Sequence, residues 1–158
     1  MGKYIKILML LSILLTGCVV EKYTMLEGYL HNQTNHIVTV YFYDNGIISA
    51  NDSINLKAGD SVLLGSSSHR GEVKGPSFSS DYFSGFTDSA IVVFDNQYKT
   101  LHYITTPDSL YKNYYLYTSS RNIFNAQSYE LTRVKQKGIY TNYNRYYFTE
   151  SDYEYAKK

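Results

Sequence analysis

The chain has 158 residues with 15 basic and 14 acidic side chains, so its formal net charge is +1. This near-neutral balance gives no reason to expect nucleic-acid binding, and the single cysteine excludes a disulfide within the chain. The length fits one domain with a core of its own. The 19 tyrosines favour half-buried strands, because tyrosine packs well on a pleated surface.

The first 18 residues follow the order of a secretory signal. Lys3 and Lys6 give a positively charged start. Ile7–Leu15 is then almost entirely apolar, and two small residues lead to Cys18. A membrane-spanning helix needs about 20 apolar residues. The run is therefore too short to remain as a spanning segment.

The stretch Leu15-Thr16-Gly17-Cys18 resembles the lipobox of bacterial lipoproteins. The resemblance implies that residues 1–17 are a signal peptide cut before Cys18, that this cysteine carries acyl chains such as palmitate, and that residues 18–24 are a lipidated tether. Two or three acyl chains hold a protein stably on a membrane, whereas one does so marginally. An ordinary secretory signal with a chance cysteine is the alternative.

The position after Cys18 bears on the choice of membrane. Val19 stands where some lipoproteins of Gram-negative bacteria carry an aspartate that retains them at the inner membrane. The resemblance therefore implies a protein of the outer membrane that faces the periplasm. The partner implied directly is the membrane, reached through the acyl groups on Cys18.

Four strands are predicted in the first half of the chain. Met25–Asn32 and His36–Tyr43 read as a hairpin, because polar turn residues separate two strand-like runs. His36–Tyr43 is apolar on both faces, which is typical of a central strand. Ile47–Leu56 and Ser61–Leu64 follow, and the glycine turn between them is similar to an element of immunoglobulin-like sandwiches.

A loop is predicted from Ser66 to Asp88, where the sequence is rich in serine and glycine and lacks sustained periodicity. An unrecognised edge strand within it is the alternative. Four aromatic residues are expected to pin the loop to the body of the domain: Phe78, Tyr82, Phe83 and Phe86. We take this loop as the candidate contact with a partner.

The second half predicts two hairpins and two short helices. Ala90–Phe94 pairs with Tyr98–Thr105, and Ser128–Lys135 pairs with Ile139–Phe148, each pair across a tight turn. Thr106-Pro107-Asp108 is typical of a helix start, which places a helix over Pro107–Tyr114. Thr149-Glu150-Ser151-Asp152 resembles a capping box that opens a helix ending at Ala156.

These elements predict an all-β fold, an immunoglobulin-like β-sandwich of about eight strands over residues 25–158 with a short C-terminal helix. The stretches Arg121-Asn122-Ile123 and 147–153 resemble small envelope lipoproteins of Gram-negative bacteria. That resemblance implies no particular activity.

Catalytic and metal-binding patterns are not evident. The histidines lack the spacing of metal ligands: His31, His36, His69 and His102. Ser109–Lys112 matches the S-x-x-K string of penicillin-binding enzymes without the other boxes of that family. Ser66–His69 puts a hydroxyl beside an imidazole in sequence only. We expect no cofactor, no metal and no catalytic residue, with Cys18 as the one modified site.

The sequence thus predicts a lipid-anchored envelope protein that acts as a binding or structural module, with an envelope protein or a glycan as its partner. Two alternatives stay open. A carbohydrate-binding module would expose coplanar rings, with Tyr111, Tyr114, Tyr115 and Tyr117 as candidates. A small glycan hydrolase would place two carboxylates about 5–10 Å apart in a cleft.

Overall fold

A computed structural model describes residues 22–77, 80–83, 87–107 and 112–158. Within these residues the chain forms nine strands and one α-helix. The strands are β1 (Tyr23–Asn32), β2 (Val38–Asp44), β3 (Ile47–Leu56), β4 (Ser61–Arg70), β5 (Ser89–Phe94), β6 (Tyr98–Tyr103), β7 (Tyr114–Tyr115), β8 (Glu130–Gln136) and β9 (Ile139–Phe148). The helix, α1, is Glu150–Ala156, and 3₁₀ turns lie at Ser80–Phe83 and Ala126–Ser128.

The strands form two sheets, with the orders β4-β1-β9-β8 and β3-β2-β5-β6-β7. The pairs β1–β9 and β6–β7 are parallel, and the other pairs are antiparallel. The prediction of an all-β fold with a short C-terminal helix is confirmed. The hairpins β5–β6 and β8–β9 are confirmed as well, and β2 lies inside its sheet as expected.

The hairpin predicted between β1 and β2 is wrong, because these strands belong to different sheets. Asn32 explains the change of direction. Its amide nitrogen donates to the carbonyl of His36 at 2.7 Å and to that of Leu56 at 3.0 Å. Its side-chain oxygen accepts from the backbone and the hydroxyl of Thr34. This buried network forms a corner that sends the chain across the core.

One core lies between the two sheets. Strands β1 and β9 alternate between buried and half-exposed side chains, as strands with one covered face do. Phe94 of the five-stranded sheet meets Phe148 of the four-stranded sheet edge to face, with ring centroids 6.5 Å apart. The aliphatic and aromatic residues buried on both inner faces form a single cluster. The fold is therefore a two-layer β-sandwich.

The segment predicted as a loop begins five residues later than expected, because β4 runs on to Arg70. This strand is an edge of its sheet, and its serines are largely exposed, so hydrophobic alternation did not reveal it. The prediction that aromatic residues pin the segment is confirmed for Tyr82 and Phe83. Tyr82 is 3% exposed, and Phe83 contacts Phe124 edge to face. Phe78 and Phe86 lie outside the described residues.

Tyr82 packs on the inner face of the four-stranded sheet at Gly28, which has no side chain. A Cβ atom at this glycine would lie 2.6 Å from one ring carbon of Tyr82 and 2.7 Å from another. Carbon atoms in contact normally stand about 3.5–4.0 Å apart. The missing side chain in β1 is therefore the space that the tyrosine ring occupies.

The C-terminal helix begins as predicted. The Asp152 carboxylate accepts from the backbone N–H of Thr149 at 2.8 Å and from its hydroxyl at 2.9 Å. The helix predicted from Pro107 to Tyr114 is wrong at its end, where Tyr114 lies in β7. Its middle, 108–111, lies outside the described residues. β6 ends at Tyr103, two residues before the predicted end.

The described residues contain no helix long and apolar enough to cross a membrane. Cys18, the predicted signal peptide and most of the predicted tether lie outside the described residues. Strand β1 begins at Tyr23, two residues before the predicted start, and Thr24 is already fully buried.

Candidate binding face

The outer face of the four-stranded sheet brings together side chains from all four of its strands. The strand registers place its members in rows across the sheet. We define the outer face as Ser61, Leu63, Ser66 and Ser68 of β4, Met25, Glu27, Tyr29 and His31 of β1, Thr141, Tyr143, Arg145 and Tyr147 of β9, and Glu130, Thr132 and Val134 of β8.

The orientation of this face follows from the alternation along β1 and β9. Leu26 and Leu30 of β1 and Tyr146 and Phe148 of β9 are buried in the core, so their neighbours in sequence point outward. At the two margins Leu63 and Val134 are 48% and 45% exposed. The face is therefore open to solvent at both edges of the sheet.

Aromatic rings occupy the centre of the outer face. The ring centroids of Tyr29 and Tyr143 lie 6.5 Å apart with the planes tilted by 39°. The guanidinium carbon of Arg145 lies 5.9 Å from the first centroid and 5.3 Å from the second. His31 meets Tyr147 edge to face at 5.4 Å. Two tyrosines that share one arginine form an amphipathic surface.

The Tyr29 hydroxyl donates to the Glu27 carboxylate at 2.7 Å. This hydrogen bond, together with partial burial and the nearby negative charge, raises the pKa of Tyr29 to about 12. The phenol therefore keeps its proton at neutral pH. Because its hydrogen is committed to Glu27, the outward edge of the ring and the oxygen lone pairs are what a ligand would meet.

A second polar cluster surrounds His36 at the far end of the sandwich. Its Nδ1 lies 2.6 Å from an Asp95 oxygen, its Nε2 lies 3.4 Å from a Glu150 oxygen, and its ring stacks on Tyr153 at 3.5 Å. The other carboxylate oxygens accept backbone N–H groups, that of Ile37 for Asp95 and that of Asn35 for Glu150. The first of these bonds, with His36, holds the pKa of Asp95 below its usual value.

This arrangement joins the β1–β2 corner, the β5–β6 turn and the start of α1. Both carboxylates are held by backbone donors, so neither is placed as a general acid or base toward an open cleft. The cluster is a structural junction. It does not provide the pair of carboxylates that the hydrolase alternative requires.

His102 is buried against β7 and accepts the backbone N–H of Ile123 at its Nδ1, over 3.1 Å. Burial lowers the pKa of His102 to about 3, with a smaller contribution from the charge of Arg121. The imidazole is therefore neutral and serves as an acceptor in the core. It has no access to a substrate.

The positive charge of Arg121, which acts on His102, is itself paired. The Arg121 guanidinium forms a two-point ion pair with the buried Asp152 carboxylate and donates to the Tyr147 carbonyl at 2.7 Å. Burial by itself lowers the pKa of Arg121, but the hydrogen bond to Asp152 and its negative charge contribute to a pKa that is raised above the usual value. This pair links α1 to the segment before β8.

The other sequence candidates do not converge. His69 is exposed on the edge strand β4 together with Ser66 and Ser68. Ser109 lies outside the described residues, as does Tyr111. Among the described tyrosines of the predicted platform, Tyr115 stacks on Tyr155 with centroids 4.9 Å apart, and Tyr117 is exposed, at 48%. Tyr114 and Tyr115 are half-buried.

No cluster of three metal-binding side chains suited to hold an ion occurs within the described residues. A depression of about 160 Å³ is lined by Gln97, Tyr98, Lys99, Leu101, Lys112, Asn113 and Ala156. Pockets for small molecules usually measure 300–1,000 Å³. This depression is smaller than that range, and a second one, of about 330 Å³ beside the β8–β9 turn, reaches its lower limit and is lined by Gln136, Lys137, Ile139 and Thr141.

Comparison of the chain with protein-family models, with curated proteins and with solved structures found no match.

The outer face was missed in the sequence because its members come from four separate strands. The alternation in Ile139–Phe148 does contain a signal, since Tyr143, Arg145 and Tyr147 share one side of that strand. The pattern along one strand does not show which strand lies next to it in the sheet. The parallel pairing of β1 with β9 sets Tyr29 opposite Arg145, and nothing local to either strand indicates that pairing.

Proposed function

We propose that this chain is a lipid-anchored protein of the bacterial cell envelope that acts as a binding module. The anchor would be acyl chains on Cys18, attached after a signal peptide of residues 1–17 is removed. The observation that supports a binding role is the open outer face, with Tyr29, Tyr143 and Arg145 at its centre.

The anchor and the domain are close in sequence. Three residues lie between Cys18 and Lys22, where the described structure begins, so the two are four Cα–Cα steps apart. A fully extended chain covers at most about 3.5 Å per residue, so this span is roughly 14 Å. An acylated Cys18 would therefore keep the sandwich near the bilayer surface, in our proposal that of the outer membrane on its periplasmic side.

A glycan is the ligand class that the outer face favours. Tyrosine rings offer broad apolar surfaces, while Arg145, Glu27 and the row of serines on β4 offer hydrogen-bonding groups around them. Arg145 stands opposite Glu130 in the sheet, so the two charges offset each other. No net positive charge that would select a polyanion is present there. An uncharged polysaccharide fits this mixture better than a charged polymer.

The alternative of a glycan hydrolase has less support. Asp95 and Glu150 are the carboxylates that come closest to a pair, and both are bound by His36 and by backbone donors. We therefore propose a binding protein without catalysis.

We further propose the immunoglobulin-like type for the sandwich. Two packed sheets of four and five strands, with connections that cross between them, support this assignment. The parallel β1–β9 pair departs from the purely antiparallel sheets of the constant-domain type. The assignment thus concerns the architecture and not that particular strand order.

Metabolic labelling with a palmitate analogue tests the anchor. The native chain should incorporate the label and sediment with membranes, while the Cys18→Ser variant should do neither. Ser12→Ala within the predicted signal serves as the matched control and should label like the native chain. A native protein recovered without acyl chains, with its amino terminus elsewhere than at Cys18, would refute the proposal.

A further inference from the structure

The four-stranded sheet has one end at which several charged segments meet. The parallel strands β1 and β9 both begin there, and the antiparallel strands β4 and β8 both end there. Tyr23 accordingly pairs with Arg70, and Gln136 pairs with Ile139. This is also the end at which residue 22 leads back toward Cys18.

Basic side chains collect at this end although no basic run exists in the sequence. We define the basic end as Lys22, Arg70, Lys74, Arg133, Lys135 and Lys137. Within the described residues, Glu72 is the carboxylate among them, and Glu21 precedes Lys22 in the sequence. The six cations come from three separate stretches of the chain, at 22, 70–74 and 133–137, and the fold brings these stretches together.

Glu72 shows how close several of these charges are. Its carboxylate forms an ion pair with Arg133 at 2.9 Å. The pKa of the Glu72 carboxyl is lowered first by Arg133 and further by the charges of Lys74 and Lys22. One carboxylate thus faces three cations, which leaves a local excess of positive charge.

Apolar side chains are exposed at the same end. Tyr23 is 41% exposed, and Ile139, beside the β8–β9 turn, is 47% exposed. The ring centroid of Tyr140 lies 3.9 Å from the guanidinium carbon of Arg133 and 5.2 Å from the ammonium nitrogen of Lys135. Aromatic and aliphatic tips among lysines and arginines are typical of surfaces that rest at the interface of a bilayer.

The opposite end of the sheet carries charges of both signs. Asp60, Asp95, Glu150 and Asp152 lie near the β1–β2 corner and the start of α1. Lys57 stands beside Asp60, and Arg121 pairs with Asp152. The group of cations with few carboxylates among them is therefore at the end adjacent to residue 22.

We propose that the basic end docks on the anionic phospholipid surface of the membrane that the Cys18 anchor enters, so that the domain stands on that surface in one orientation. The inference rests on the proposed anchor. A basic patch is a second membrane signal beside acylation, and each lysine or arginine near an anionic surface favours the docked state about fivefold. Docking leaves the β1–β2 corner directed away from the bilayer.

The test uses the full chain isolated with its native processing and carrying Ile139→Cys, labelled with a polarity-sensitive fluorophore. The labelled protein is reconstituted into vesicles of phosphatidylcholine alone or with about one third phosphatidylglycerol. We expect a blue shift of the label in the anionic vesicles that is reversed by 0.5 M salt, because salt screens charges beyond a few ångströms. The same label at Gln97→Cys, near the opposite end, should not respond.

A variant with three lysines removed from the basic end measures how much these charges contribute to docking. Replacing Lys22, Lys135 and Lys137 by glutamine should lower the ratio of docked to undocked domain on the order of 100-fold. The matched control replaces Lys57, Lys99 and Lys112, which are exposed elsewhere on the domain, and should leave the ratio unchanged. An equal loss in both variants would overturn the inference.

Mass spectrometry of the same samples separates the two proposals. A sample with acyl chains on Cys18 whose label at residue 139 ignores anionic lipid overturns the docking inference and leaves the anchor intact. A sample without acyl chains overturns the anchor, and the response of the label to anionic vesicles still decides the docking surface.

Discussion

The contact between Gly28 and Tyr82 allows a mutation to be worked out from geometry. In Gly28→Ala the new methyl group would sit 2.6–2.7 Å from two ring carbons. The ring cannot retreat easily, because Tyr82 is 3% exposed and the adjacent Phe83 packs on Phe42 and Phe124. Overpacking of this kind costs about 1–3 kcal/mol. The lower entropy of the unfolded alanine chain returns about 0.4–1 kcal/mol.

We therefore expect Gly28→Ala to lower the free energy of unfolding by about 1–2 kcal/mol. Urea unfolding followed by circular dichroism measures this change. The matched control is Gly75→Ala, where a Cβ meets no atom within 4 Å and the φ angle is not in the left-handed region. That control should stay within about 0.5 kcal/mol of the native chain.

A double-mutant cycle shows whether the ring causes the loss. Tyr82→Ala alone should cost about 3–5 kcal/mol, since it empties a buried site. In that background Gly28→Ala meets no ring, so its cost should disappear and the two effects should fail to add. If Gly28→Ala destabilises equally with and without the Tyr82 ring, the close approach is not the reason, and the account of the 66–88 segment is wrong.

Three further outcomes follow from the described contacts. Burial lowers the folded pKa of His102 to about 3, while the unfolded value is near 6.5, so the unfolded chain binds a proton first. Stability should therefore fall by about 1.4 kcal/mol per pH unit below pH 6.5, and urea unfolding at several pH values should show this slope. His102→Asn should lack the slope between pH 6.5 and about 5, above the range in which carboxylates such as Asp95 titrate. Asp152→Asn leaves the Arg121 charge without its partner and should lower the free energy of unfolding by about 3–5 kcal/mol. The exposed Glu154→Gln should lower it by less than about 0.5 kcal/mol. Equal losses in urea unfolding would contradict the role of the pair. The native chain should be retarded in gels that contain hydroxyethylcellulose, dextran or pullulan. The double variant Tyr29→Ala, Tyr143→Ala should lose this retardation, while Tyr117→Ala should keep it. A native chain that is retarded by none of these polymers, or only by anionic alginate, would rule out an uncharged glycan.

Local patterns were sufficient for the elements whose partners are adjacent in sequence. β9 was predicted with its observed bounds, as was β3, and α1 was predicted from Thr149 and Asp152. In each case the information lies within a short stretch: alternation, a tight turn or a cap. The same holds for the β5–β6 and β8–β9 hairpins, whose short loops of three and two residues fix the pairing.

Features that depend on distant partners were not predictable. The separation of β1 from β2 depends on Asn32 bonding to Leu56, which lies 24 positions away. The continuation of β4 depends on β1 as a template, since the serines of β4 carry no hydrophobic signal of their own. The outer face and the basic end share this cause, because both are assembled across strands that the chain visits at different times.

The parallel alignment of β1 with β9 has a consequence for how the polypeptide matures. Thr24 pairs with Tyr140 and Asn32 with Phe148, so the middle of the four-stranded layer stays incomplete until residues near the carboxyl terminus have been synthesised. Such long-range pairing makes folding slow. Until β9 is available, β1 lacks the strand that lies between it and β8, and the four-stranded sheet cannot close.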